Sequence, residues 1–197
     1  MNTGLVKNNC ESNPSPSSTM NIGIFERTNQ NYKILKEILV QYAAYNLWAN
    51  QRLIQTLNNL EEGVADAEIL SSFSSIKKTV EHLALVEFIW WQRLKLVENI
   101  SLPEEKNQTL TETGKELLAH SLQWKEWVEK STNAAFEHEF VYRNTKKEQF
   151  KNPVYQMLLH LFNHQTYHRG QLVTMLRQVG IDKIPATDFI EWCRRKS

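Results

Sequence analysis

His160, His164 and His168 stand four residues apart in HLFNHQTYHRGQ, residues 160–171. On an α-helix, side chains four apart are neighbours with Cβ atoms about 5–6 Å from each other, so consecutive members of this series can converge on one ion. All three cannot do so comfortably, because residues eight apart are separated by about 12 Å along the helix axis. A further ligand has to come from elsewhere, and His82, His120 and His138 are the remaining imidazoles. The apolar seam of this helix runs through Leu158, Leu161, Gln165, His168, Leu172, Met175 and Val179, which turns His168 inward and sets His164 one turn earlier on the same side. His82 lies in TVEHLALVEFIWW, the most apolar stretch of the chain, where an unpartnered polar group would cost free energy. His120 falls among polar positions and His138 in the acidic FEHEF, where water satisfies both. The expected metal ligands are therefore His82, His164 and His168. The pair His160 and His164 has the same spacing and is the geometric rival, and HxxxH alone is as often a surface or hydrogen-bonded pair as a ligand pair.

Three neutral imidazoles would leave a divalent cation its full formal charge and at least one open coordination position, the pattern of a catalytic rather than a closed structural site. Such an ion lowers the pKa of a bound water or thiol and holds the anion ready as a nucleophile. Zinc is the first expectation and nickel the next, with cobalt or iron also suited to imidazole. Trp48, Trp90, Trp91, Trp124 and Trp127 are expected in the core or at a dimer surface, and the terminal RRK run as a solvated end.

The elements that must position these residues are helices. Leu35, Ile38, Tyr42, Tyr45, Ala49, Leu53, Leu57 and Leu60 recur every three or four residues and predict a long first helix ending near Gly63. The second follows the capping serines of SSFSS and carries Phe73, Ile76, Val80, Leu83, Glu87, Trp90, Leu94 and Val97. Its middle is apolar nearly all round and needs cover on several sides. A third amphipathic segment spans about 110–132, and residues 136–151 break the helical period as a loop or irregular hairpin. Asn152 and Pro153 suit the cap and first position of a fourth helix that stops at Gly180, and IDKIPATDFIEW should pack back over it. Residues 1–28, rich in Asn, Ser and Pro, read as a flexible tail, leaving 29–197 as one all-α domain, an up-down four-helix bundle.

Lysine plus arginine number 23 and aspartate plus glutamate 22, so no chain-wide field recruits nucleic acid or an anionic membrane. The two cysteines, Cys10 and Cys193, lie at opposite ends and suggest neither a disulfide framework nor a zinc ribbon. With no signal-like segment and no run of about 18 apolar residues, a cytoplasmic location is expected.

LLHLFNHQTYHRGQLVTMLRQVG followed by IPATDFIEW resembles the C-terminal signature of the DinB/YfiT-like family of metal-binding four-helix bundles, and YNLWANQRL and SSFSSIKKTVEHLALVEFIWWQRL agree with it. The resemblance spans about residues 35–192. It implies a three-histidine site with one ligand from the second helix and two from the last, here His82, His164 and His168, leaving His160 outside. It also implies homodimers and, for some relatives, metal-dependent transfer of a low-molecular-weight thiol to a small-molecule electrophile. A metal-activated hydrolase and a non-catalytic metal-binding bundle are the alternatives. Arg169 and Gln171 flank the last ligand and could orient a substrate, against a surface salt bridge for Arg169 and a core hydrogen bond for Gln171. Glu81 and Glu87 are the carboxylates nearest His82 in sequence, but helix phase puts neither beside it, and Asp188 is given no catalytic role.

Overall fold

The computed structural model describes residues 16–102, 107–144 and 146–195, with side chains from residue 33 onward. Four long helices form the body: α1 (Pro16–Leu57), α2 (Ile76–Leu94), α3 (Leu110–Lys130) and, after a short helix α4 (Asn133–Glu137) and two strands, α5 (Val154–Gln178). α1 begins at Pro16, inside the tail expected over 1–28, and proline is tolerated in a first turn whose N–H has no partner anyway. Residues 1–15 of that expected tail lie outside the described residues.

Local chemistry sets the helix ends. Ser75 caps α2, its side chain accepting from the backbone N–H of Lys78. Thr109 and Glu112 close a reciprocal capping box on α3. The start of α5 differs from the sequence expectation: Pro153 is the cap itself rather than the first helical residue, because it is also the last residue of strand β2. At the other end Gly180 adopts φ +84°, and the N–H groups of Ile181 and Gly180 return to the carbonyls of Leu176 and Arg177. This is a Schellman stop that a side chain with a Cβ would strain.

α1 and α2 each pack against both α3 and α5, so they lie diagonally across the bundle. α1 and α3 are antiparallel, since Lys36 Nζ donates to the Ser131 carbonyl at one end and Thr111 meets Asn58 at the other. α2 and α3 are parallel, as Phe88 meets His120 and Trp91 meets Trp124. α2 and α5 are antiparallel, with Thr79 at Met175 and Trp90 at His160. The four-helix bundle is thus as expected, while its direction is up, down, down, up. α2 therefore ends and α3 begins at opposite ends of the bundle.

Residues 136–151 contain the end of α4 and a two-stranded antiparallel hairpin, β1 (Glu139–Arg143) with β2 (Gln149–Pro153), in the register Val141 opposite Lys151. Its Phe140 joins the core around Trp124, Phe136 and Phe162. A second cluster around Leu53, Leu83, Leu117 and Leu172 fills the other half. The C-terminal segment folds back as expected, α6 (Phe189–Arg194) seating Trp192 against Tyr45 and Ala49 of α1. Among the described residues no helix is long and apolar enough to cross a membrane.

Candidate metal centre

Antiparallel packing of α2 on α5 brings His82 opposite the HxxxH pair. His82 Nε2 lies 3.0 Å from His164 Nε2, and His168 Nε2 lies 3.1 Å from the same atom. The three ligand atoms all fall within 4.8 Å of one another, and no carboxylate or thiol of the described residues joins them. One nitrogen of His164 thus takes part in both contacts, although a neutral ring nitrogen offers either one N–H or one lone pair. Hydrogen bonding can satisfy one contact well but not both. A cation would accept all three lone pairs together. Tetrahedral coordination at a metal–nitrogen distance of about 2.0–2.1 Å needs nitrogens about 3.3 Å apart, close to the spacing here.

The electrostatics favour the neutral form that ligation requires. Burial first, and His168 second, push His82 down to about 4. Burial, then His168, His82 and His160, push His164 down to about 4 as well. Around the trio, His168 Nδ1 meets Gln171 Oε1 at 2.7 Å, and Gln171 Nε2 donates to Ser72 Oγ at 2.8 Å. An imidazole whose Nδ1–H is held by an acceptor presents Nε2 outward, the usual support for a metal-bound histidine. His164 Nδ1 is buried with no partner. The Phe73 ring lies 4.4 Å from that of His82 and 5.5 Å from that of His168, giving the site an apolar wall.

The remaining candidates separate clearly. His160 is exposed, its ring 5.3 Å from Trp90 and 6.1 Å from His164, so it flanks the trio from one turn away. His120 faces Glu116 on α3, and His138 is exposed. Glu81 pairs with Lys78 on its own helix. Gln171 holds His168 and a loop serine rather than bonding within the core.

Arg169 corrects the surface salt bridge expected of it. It is only 2% exposed, and it donates to Asn46 Oδ1 at 2.7 Å, Asn50 Oδ1 at 3.0 Å and Thr166 Oγ1 at 2.8 Å. Asn46 passes the connection on to Glu87 Oε1 at 2.9 Å, and Ser121 Oγ donates to the same carboxyl. Burial raises Glu87 to about 8 despite these bonds and the Arg169 charge. Gln165 Nε2 donates to the Leu83 carbonyl at 3.0 Å, which ties the residue after His164 to the residue after His82. Asn46, Asn50 and Ser121 were not singled out from sequence. Their signal was weak: Asn46 and Asn50 are four apart beside the apolar seam of the first helix.

A cavity of about 650 Å³ lies on the opposite edge of α5, between Tyr42, Tyr45, Thr166, Gly170 and the 184–189 segment, and includes Asp188. None of the three histidines lines it.

Fold and cluster together define a helical bundle with the donor set of a metal centre. Residues 28–195 match the DinB family. The chain is 31% identical over 159 residues to protein DinB of Bacillus subtilis strain 168, covering 74% of this chain and 87% of that protein. The chain belongs to the DinB family. Among solved structures it is similar to YfiT from Bacillus subtilis, described as a probable metal-dependent hydrolase with an unusual four-helix bundle topology. The TM-score is 0.57 at 16% identity, covering 74% of this chain and 87% of that one.

Proposed function

We propose that His82, His164 and His168 hold a divalent metal ion, zinc or nickel first, and that the protein is a metal-dependent transferase acting on a low-molecular-weight thiol and a small electrophile. The observation that carries this is the convergence of the Nε2 atoms of three histidines with no carboxylate beside them. A divalent cation in that position would lower the pKa of a bound thiol or water. Deprotonating a thiol this way needs no protein base, whereas a hydrolase would be expected to place a carboxylate next to its water. Glu87 is fully buried and bonded to Asn46 and Ser121, and Glu81 is occupied by Lys78.

The chain's own residues supply the rest. Gln171 orients His168, Phe73 keeps water from one side, and no protein side chain has to be the nucleophile. In the transfer, the thiol sulfur would bond to the electrophilic carbon, the leaving group would depart with its electron pair, and the thiol proton would pass to solvent. Homodimerisation belongs to the same proposal, supported by the partly exposed Leu85, Phe88, Ile89 and Trp91 of α2. A metal-activated hydrolase is the second reading, favoured by the description of YfiT.

The test is conjugation of a chromogenic electrophile by zinc- or nickel-loaded protein with each common cellular thiol in turn. Thiol-dependent turnover that disappears on His168→Ala is expected. Hydrolysis of ester or amide reporters without any thiol would favour the second reading instead.

A further inference from the structure

Arg93 is on α2 eleven residues after His82, which is three turns and so nearly the same face, about 16 Å along the axis. Its guanidinium carbon lies 4.4 Å from the centre of the Trp90 ring and 5.5 Å from that of Tyr142 on β1. Among the described residues it has no carboxylate within ion-pair distance, and its Nε is buried without a hydrogen-bond partner. The other arginines near the core differ. Arg169 is saturated by Asn46, Asn50 and Thr166. Arg52 also has an unpartnered Nε, but it stacks on Trp48 of α1, away from the histidines.

Contacts run without a break from this cation to the cluster. Trp90 meets His160, and His160 meets His164, while the half-buried Val86 and Ile89 lie between His82 and Arg93 on α2. A guanidinium set over the Trp90 ring and beside Tyr142, with no acid partner among the described residues, is suited to capture of a carboxylate or phosphate through its terminal N–H groups. Aromatic stacking orients such a cation but leaves its N–H groups unsatisfied.

We infer that Arg93 is an anion subsite that anchors the negatively charged tail of the molecule whose reactive end meets the three histidines. The substrate class is then a small molecule about the length of a three- or four-residue peptide, at about 3.3–3.6 Å per residue, with a soft or electrophilic group at one end and a carboxylate or phosphate at the other. This rests on the metal-centre proposal for the position of the reactive end, but not for the anion site itself.

The experiment therefore has two arms, on full-length protein. In the first, metal-free and zinc-loaded protein are titrated with succinate, inorganic phosphate and neutral succinamide, following the Trp90 indole N–H by NMR. A saturable shift with the anions and none with succinamide is expected. Which anion binds tighter tells a carboxylate tail from a phosphate tail. Arg93→Gln should weaken the response at least tenfold, and Arg93→Lys, which keeps the charge, should retain part of it. An equal response in Arg93→Gln, or no saturable shift in the wild type, overturns the subsite.

In the second arm, zinc-loaded protein is titrated with an unbranched ω-mercapto carboxylic acid of that length and with its methyl ester, which carry the thiol at one end and the carboxylate or its neutral counterpart at the other. About tenfold tighter binding of the acid is expected, collapsing to twofold or less in Arg93→Gln with zinc content unchanged. Equal binding of the two probes by wild type overturns the tail assignment. Failure of the wild type to hold zinc at all overturns the metal centre instead, and the metal-free titration then decides Arg93 alone.

Discussion

His82 of α2 and His164 of α5 meet Nε2 to Nε2 at 3.0 Å, across a seam joining residues 82 positions apart in the chain. Two neutral rings so placed, with His168 Nε2 at 3.1 Å from the same atom, are better satisfied by a shared cation than by each other. Purified protein should therefore carry about one divalent ion per chain by elemental analysis. His82→Ala, His164→Ala and His168→Ala should each lose it with helicity unchanged, and His160→Ala should keep it. Retention in His168→Ala would shift the site toward His160 or remove it.

Gln171 should matter through His168. Gln171→Ala removes the acceptor on Nδ1 and the link to Ser72, so zinc affinity measured by competition with a chelator should fall by about 10–100-fold. Gln171→Glu keeps an acceptor and should recover much of that loss. Equal affinity in all three proteins would leave Gln171 a bystander.

Metal-free protein should show a stability maximum near neutral pH. His82 and His164 have folded pKa values depressed to about 4, so the unfolded chain binds more protons between about 4 and the ordinary 6.5, and stability rises with pH there. Glu87 is raised to about 8, so above its ordinary value the folded chain binds the extra proton. Its contribution is fully present below 4.5 and is lost as pH climbs through 8. Between 6.5 and 8 the decline should approach about 1.4 kcal/mol per pH unit. Urea unfolding at a series of pH values should show both limbs, and Glu87→Gln should flatten the upper one.

Gly114 lets α3 approach α1 closely. A Cβ built there would meet Ile54 Cγ2 at 2.9 Å, so Gly114→Ala should destabilise by about 1–3 kcal/mol despite alanine's better helix propensity. Adding Ile54→Ala, which removes Cγ2 along with the rest of the branch, should cost less on the Gly114→Ala background than on wild type, a coupling readable in a thermal-denaturation double-mutant cycle.

Much of the fold was legible because helix period is a local property. Ser75 and Gly180 mark their helix ends in sequence, and the seam through Leu158, Gln165 and His168 is buried as its spacing requires. The grouping of His82, His164 and His168 was legible in part, from the inward phase of His168 and the apolar surroundings of His82, while the equal spacing of His160 and His164 left a rival pair that only the packing of α2 on α5 separates. What stayed hidden depends on neighbours distant in the chain. The buried position of Arg169 is set by Asn46 and Asn50, more than a hundred residues away, and no local pattern announces a cation bound for the interior. The parallel run of α2 and α3 is likewise set by which side chains meet across the bundle, Phe88 with His120 and Trp91 with Trp124, and helix periodicity does not encode direction. Pro153 serves as the end of a strand before it serves a helix, so its proline signature placed the helix start one position too early.

The down-down step between α2 and α3 has a bearing on biosynthesis. Since the donors come from α2 and from the middle of α5, a ribosome must deliver α3, the hairpin and half of α5 before they can meet. A nascent chain halted in the hairpin would own one imidazole of the three, so any metal would have to be acquired after α5 has emerged.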